Sequence, residues 1–430
     1  MYSESISEID FEDVYDSDVV FVTLNTYNAL RGYEIAEVIK RNSGALVVFG
    51  GMHASLNYVE AIEYCDYILT GDGDESIVEF VHAVNGNRPV EFKGVVHKKD
   101  GKIVNTGERE QPTDIDTIPD RSLVHGYAEA AKRHDKLWPQ VHASRGCPHT
   151  CSFCPVPKHF GRKLRTRSPD HVVEDIRQAI AFYRRKVIPR LANVLWITDD
   201  NFFHDREWAM SVLNQIIENK IKCRFSAQAR FEIGFDDELL TLMKRAGFFE
   251  VALGIEFVND VNFKQYCKAG GTGKISEAVK NIRAHGMGVR GLFVVGTDND
   301  RVGIGGQIVD FVTENDLHGV FIQSLYFTPG TDFFEQNEHR LIHRDWSRYD
   351  GRVVHFPENI KPHEVQREII YASRKIYSMR RIGRALSTFK GLNKVLFFGE
   401  IQWQAHIRRE LRKELEYLES VSPPTMEERN

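Results

Sequence analysis

The sequence predicts an α/β protein in three parts: a small doubly wound parallel sheet, a partial (β/α)6 barrel and a helical C-terminal region. Three observations predict it. Short apolar runs alternate with amphipathic stretches from Asp18 to Val84. The same alternation resumes near Pro139 and continues through six strand–helix units. Residues 361–420 carry helical patterning only. Strands alternating with helices demand parallel pairing, because each helix carries the chain back to the start of the sheet.

The elements follow in order. Residues 1–18 hold seven acids and no base, which predicts a solvated arm. Val19 to Leu24 reads as a buried strand, Leu30 to Arg41 as an amphipathic helix, and Ala45 to Phe49 as a second strand ending in Gly50-Gly51. Tyr58 to Tyr64 reads as helix, Tyr67 to Leu69 as a short strand and Glu75 to Val84 as helix, which closes a first domain at residues 1–90. Residues 91–138 read as β-rich, irregular linker punctuated by Pro112 and Pro119. The barrel is expected over 139–345. Its strands are Gln140 to Ser144, Val194 to Thr198, Cys223 to Ala227, Glu250 to Ile255, Val289 to Val295 and Val320 to Phe327. Ser168-Pro169 is a helix start, with a capping hydroxyl before proline. Gly247 and Gly286 fall where helices should stop. In the helical region, 346–430, eight bases and one acid lie between Arg367 and Lys394. That predicts a solvated face, with an anionic substrate or a protein partner as the alternative.

Composition narrows the function. A net charge of −5 and a pI near 6.4 argue against a whole-chain nucleic-acid binder. No apolar run reaches membrane-spanning length, and the acidic start lacks a signal peptide's basic and apolar regions, so a cytoplasmic location is expected. Six cysteines do not make a disulfide scaffold in a chain of 430 residues. Cys65, Cys223 and Cys267 lie among apolar residues and are expected to be buried thiols.

The other three cysteines share one loop, Arg145-Gly-Cys-Pro-His-Thr-Cys-Ser-Phe-Cys154, directly after the first barrel strand. Thiolates hold iron–sulfur clusters, usually four to a cube, so three leave one iron open to bind something else. Cys147, Cys151 and Cys154 with Phe153 fit Cys-x3-Cys-x2-Cys with an aromatic residue before the last cysteine. The loop thereby resembles that of the radical SAM superfamily. The resemblance implies a TIM-type partial barrel, a 4Fe–4S cluster and S-adenosylmethionine chelated at the open iron. Reductive cleavage would then give methionine and a 5′-deoxyadenosyl radical. A zinc site of three cysteines with His149 or His159 is the competing reading.

Barrel active sites lie at the carboxyl ends of strands. The second strand ends in Asp199 and Asp200, where many members of that superfamily place Gly-Gly-Glu for the amino group of S-adenosylmethionine. These acids would take that role or cap the next helix. The third strand ends Ser226-Ala-Gln228-Ala-Arg230. Gln228 and Arg230 are cofactor-binding candidates, Arg230 for a carboxylate or else for an ion pair with a neighbouring acid. The fourth ends Gly254-Ile-Glu256, where Glu256 would accept from ribose hydroxyls or organise Arg230. The fifth ends at Gly296 and the sixth at Gly330, glycines that admit a close ligand or simply turn the chain. Phe202, Phe203, Trp208, Tyr326 and Phe327 would line an apolar cavity or belong to the core. Gly270-Gly-Thr-Gly273-Lys274 is not a P-loop, because Lys268 stands where the first glycine belongs and Ile275 follows the lysine.

Thr23 to Thr26, Gly50-Gly-Met-His53 and Gly71-Asp-Gly-Asp-Glu75 resemble the B12-binding (cobalamin) domain that precedes many radical SAM barrels. This extends the resemblance to the subclass of cobalamin-dependent methyltransferases, hopanoid methylases and the anaerobic cyclase of chlorophyll synthesis. Cobalamin would be a third cofactor, but the Asp-x-His-x-x-Gly motif that supplies its lower ligand has no counterpart. The 22 residues before Thr23 contain no histidine, and His53 is not its substitute. A start internal to a longer gene, cobalamin held without histidine, and a domain kept for structure alone all remain open. The expected function is a radical SAM enzyme modifying an unactivated carbon of a small organic molecule, by cobalamin-dependent methylation or by a cobalamin-independent oxidation, cyclisation or rearrangement. Its electron donor would be a flavodoxin or ferredoxin. A non-catalytic iron–sulfur protein is the alternative from another class.

Overall fold

The computed structural model describes residues 1–127, 139–186, 194–378 and 392–421. The first sheet has five strands in the order β1 to β5. β1 (Val19–Thr23), β2 (Leu46–Gly50) and β3 (Tyr67–Leu69) run parallel, with Val19 opposite Leu46 and Thr23 opposite Gly50. β4 (Val95–Lys99) and β5 (Lys102–Asn105) join as an antiparallel hairpin. These two strands, within the expected β-rich stretch of 91–138, extend the first sheet to residue 105. Val95 and Val96 lie in the core beside Val48 and Ile68 while Lys98 and Lys99 stay out, so β4, between β3 and β5, runs from core to solvent along its length.

Residues 1–18 are not a loose arm. Phe11–Tyr15 is a helix capped by the Asp10 carboxylate, and Phe11 and Val14 pack against the core. The acids that suggested a solvated arm sit around that short apolar stripe.

The second sheet is wholly parallel, ordered β13-β12-β11-β10-β9-β6: Gln140–Val141 (β6), Val194–Ile197 (β9), Arg224–Ala229 (β10), Phe248–Glu256 (β11), Gly288–Val295 (β12) and Gly319–Ser324 (β13). β6 and β13 are its two edges, so the barrel is open on one side. β6 is short because Ser144–Arg145 (β7) leaves it to pair with Arg165–Thr166 (β8). The apolar run of β11 reads continuous because eight of its nine residues are buried, as a strand covered on both faces requires. Phe202 stacks with Phe248 in this core, Phe203 meets Phe248 edge-on, and Phe327 packs on His355.

The lower end of the barrel holds an ionic cluster. Glu250, fully buried, meets Arg290 at 3.2 Å, the His318 ring and the Ser226 hydroxyl at 3.1 Å. Burial alone would raise this carboxyl; Arg290 and His318 hold it well below the usual range.

The first domain docks on the barrel's strand ends. Gly330, at φ +75°, lies so close under Leu56 that an added Cβ would sit 2.0 Å from that carbonyl oxygen. Trp346 donates its indole N–H to Glu60 at 2.7 Å and meets the His53 ring edge-on. Pro362–Ile376, Leu392–Lys413 and Leu415–Ser420 are helices, as expected. Residues 379–391 of the basic stretch lie outside the described residues. No described helix is long and apolar enough to cross a membrane.

Candidate active site

The cysteine loop starts where β7 peels away from the barrel. β7 and β8 pair Ser144 with Thr166 and Arg145 with Arg165, so the segment between them is closed at its base. Asp199, buried at the end of β9, accepts from the Ala143 N–H at 2.7 Å and from the Ser144 hydroxyl. Burial pushes its carboxyl up to about 7. Asp199 thus anchors the strand beneath the loop, with both carboxylate oxygens engaged there rather than offered to an ammonium group. Gly146 is at φ +88°, where a Cβ would lie 2.4 Å from the Lys163 oxygen. The turn into the first cysteine therefore needs glycine. Within the loop, Cys147 N–H donates to Gly161 O at 3.3 Å and Cys154 N–H to Cys151 O at 3.1 Å. Ser152 N–H donates to Tyr266 O at 3.3 Å, which ties the loop to the fourth strand's following segment.

Cys147, Cys151 and Cys154 are all half-buried free thiols. Burial raises Cys147, with Asp200 and Cys151 adding to it and Arg230 opposing. Burial, then Asp200 and the other two thiols, pushes Cys154 up to about 12. Binding a metal at Cys147 and Cys154 must displace their protons. Among the described residues no three His, Cys, Asp or Glu side chains, the loop thiols included, are drawn around one point as a bound metal would hold them. His149 instead packs edge-on to His204, and His159 is buried against Phe160. Three thiols in one loop are the protein ligands of a 4Fe–4S cube with one open iron.

Around the thiols stand the other strand ends. Asp200 opens onto this space, and surrounding protein raises its carboxyl. Arg230 is bound to Glu232 through Nη2 at 2.9 Å and Nε at 3.2 Å, the ion pair that was its alternative reading, yet its charge also reaches Cys147 and His149. Gln228 lies half-buried on β10 opposite Ala252. Glu256 sits at φ +65° where the β11–β12 register shifts, and its carboxylate takes Lys268 Nζ at 2.9 Å. A Cβ on Gly254 would lie 2.8 Å from Glu256 Oε1 and 3.2 Å from Lys268 Nζ, so that glycine makes room for the pair. Phe153 meets Phe257 and Tyr266 edge-on, a dry wall behind the loop. Burial raises the Tyr326 phenol, and Cys154 adds to it.

Gly296 does not join them. Its N–H donates to Asp300 at 2.8 Å and its carbonyl accepts from His355 at 2.8 Å, so its backbone is spent on its own turn. Cys267 is exposed, not the expected buried thiol. Lys268 escaped the sequence reading because its partner lies 12 residues away across a bulge; a lone lysine after an apolar segment was the only trace. A cavity of about 1070 Å³ runs along β6 between Arg121, Tyr127, Arg167 and Tyr183, but no cysteine lines it, so volume does not locate this site.

The ends of β1 and β2 do not fit a histidine-ligated cobalamin. His53 is buried with Nε2 3.0 Å from the Tyr33 hydroxyl and Nδ1 3.4 Å from Thr26 Oγ1, and its ring edge meets Trp346. Gly51 is taken up by the chain itself: a Cβ there would lie 2.8 Å from the Leu24 oxygen.

A family profile described as the Radical SAM superfamily matches residues 141–302. The chain is 27% identical over 388 residues to the bacteriochlorophyllide d C-12(1)-methyltransferase of Chlorobaculum tepidum, covering 90% of this chain and 80% of that one. It is 25% identical over 409 residues to the C-8(2)-methyltransferase of the same organism, covering 92% and 86%. Among solved structures it is similar to the methyltransferase TsrM from Kitasatospora setae with cobalamin and a 4Fe–4S cluster bound, at TM-score 0.69, 16% identity and coverage of 92% and 88%. It is also similar to OxsB with aqua-cobalamin and S-adenosylmethionine bound, at TM-score 0.70, 14% identity and coverage of 96% and 66%. At such identities the solved structures speak for the fold.

Proposed function

Since the chain is an enzyme of the radical SAM type, we propose that it methylates an unactivated carbon of a small organic substrate held between the barrel's strand ends and the first domain. The observation that carries the radical chemistry is the loop of three free thiols in Cys-x3-Cys-x2-Cys spacing, set at the strand ends beside Asp200 and Arg230. Methylation is supported by the two Chlorobaculum relatives, which match nine-tenths of the chain.

Cys147, Cys151 and Cys154 would hold a 4Fe–4S cluster with one open iron, which would supply the one-electron reduction that cleaves S-adenosylmethionine to methionine and a 5′-deoxyadenosyl radical. The residues here bind and orient. Arg230 offers a guanidinium fork to a carboxylate once Glu232 yields one arm. Asp200 offers a carboxylate to an ammonium group. Phe153, Phe257 and Tyr266 keep water from the back of the loop, which strengthens each of these charges. The electron comes from a one-electron donor of the flavodoxin or ferredoxin type.

A second reading is radical chemistry without methyl transfer, favoured by the engagement of His53 and the filled space at Gly51. Anaerobic protein given S-adenosylmethionine and dithionite, with and without added cobalamin, separates the two. Methylation produces S-adenosylhomocysteine together with 5′-deoxyadenosine, whereas 5′-deoxyadenosine alone supports the second reading. Neither product from protein with a full cluster overturns both.

A further inference from the structure

The cysteine loop is gripped from the first domain by two carboxylates. Asp72 and Asp74 lie on the segment that follows β3. Asp74 meets Arg145 as a fork, with Nη1 at 2.5 Å and Nη2 at 3.2 Å on its two oxygens. Asp72 lies 3.2 Å from Arg145 Nη1 and also binds Arg165 Nη1. Arg145 and Arg165 are themselves the cross-strand pair at the base of the loop, and Arg145 stands two residues before Cys147. Arg165 further donates to Phe160 O at 2.9 Å and to Pro112 O at 3.1 Å. Gln111 completes the seam, accepting from Asp72 N–H at 3.3 Å and donating to His159 O at 3.4 Å. Asp72 and Arg165 are more than nine-tenths buried, so this is not a surface pairing.

Two guanidinium groups and two carboxylates balance in charge, and paired forks fix direction as well as distance. Asp199 holds the neighbouring Ala143 and Ser144 from the barrel side. The base of the loop is therefore clamped between two domains. We propose that Asp72 and Asp74 are positioning residues. Acting through Arg145 and Arg165, they set the placement of the three thiolates and the field on the cluster they hold. Groups around a metal site tune it through such outer contacts. The inference rests on the cluster reading of the cysteines.

The test uses full-length protein, purified or reconstituted without oxygen, and reads iron content, the EPR spectrum of the reduced cluster and its midpoint potential. Asp74→Asn leaves Arg145 only its share of Asp72 and so adds net positive charge at the base of the loop, which favours the more negative reduced cluster. Its midpoint should move positive with altered g values, and Asp74→Glu should restore both. Arg145→Gln removes the cation instead and should move the midpoint negative, so the sign of the shift still decides if Asp74→Asn fails to fold. A tie that serves folding alone would lower cluster content and leave the potential of the clusters present unchanged. Wild-type potentials and spectra in these variants overturn the proposal. Wild-type protein that takes up no cluster overturns the cluster reading, and this inference with it.

Discussion

Glu256 stands at φ +65°, and its carboxylate is held 2.9 Å from Lys268 Nζ. Both side chains are nearly buried, at 16% and 5% exposed. A non-glycine residue in the left-handed region costs about 1 kcal/mol or more, and the bulge places it next to the thiols' chamber. Lys268→Met would leave that carboxylate without its cation. The variant should lose about 3 kcal/mol of stability in urea denaturation and most of its 5′-deoxyadenosine formation. Unchanged turnover would show that the pair serves the bulge alone.

Each of Cys147→Ala, Cys151→Ala and Cys154→Ala should lose most bound iron and sulfide and all cleavage of S-adenosylmethionine. The triple variant Cys65→Ser, Cys223→Ser, Cys267→Ser should keep both, since those thiols lie outside the loop. Iron and sulfide assays of anaerobic preparations check both statements.

Gly330→Ala should loosen the seam between domains. The position is left-handed and the new Cβ would collide with backbone, which cannot swing aside as a side chain does. A loss of about 2 kcal/mol or more is expected, with faster proteolysis in the first domain. Thermal denaturation and limited digestion measure the two effects.

Glu60 gives the same seam a pH dependence. Burial alone would raise its carboxyl, but His53, Trp346 and Tyr33 on its oxygens hold it down to about 2. A folded value below the unfolded one contributes stability above the ordinary value of 4.5, and that contribution is lost as pH falls toward 2. The side chain is about a third exposed, so screening reduces the contribution to about 1–2 kcal/mol. Glu60→Gln should therefore be less stable than wild type at neutral pH by about that amount, with the gap closing as pH falls from 4.5 to 2 in urea titrations.

Elements built from local pattern were legible. All nine predicted parallel strands form, most within two residues of their predicted ends, because parallel strands are continuous apolar runs between turn residues; β1, expected to be buried, is instead a sheet edge with no fully buried residue. The cysteine loop was legible because its chemistry is compressed into eight residues. Relationships made by folding were not. Nothing local distinguishes Asp199 from Asp200, yet one turns inward to the β6–β7 backbone and the other opens toward the thiols. Arg145 and Asp74 are 71 residues apart, and the pairing of β7 with β8 is what brings the arginines together. The helix at Phe11–Tyr15 was hidden by its acids, since charge counts do not register two apolar residues on one face.

The ionic knot of Glu250, Arg290 and His318 has a consequence for traffic. It corks the foot of the barrel with charged groups already satisfied by one another. Reactants and products are then left the opposite rim, under the eaves of the first domain, and the open flank between β6 and β13. Changes in which molecules are admitted should accordingly map to that overhang or flank, leaving the foot untouched.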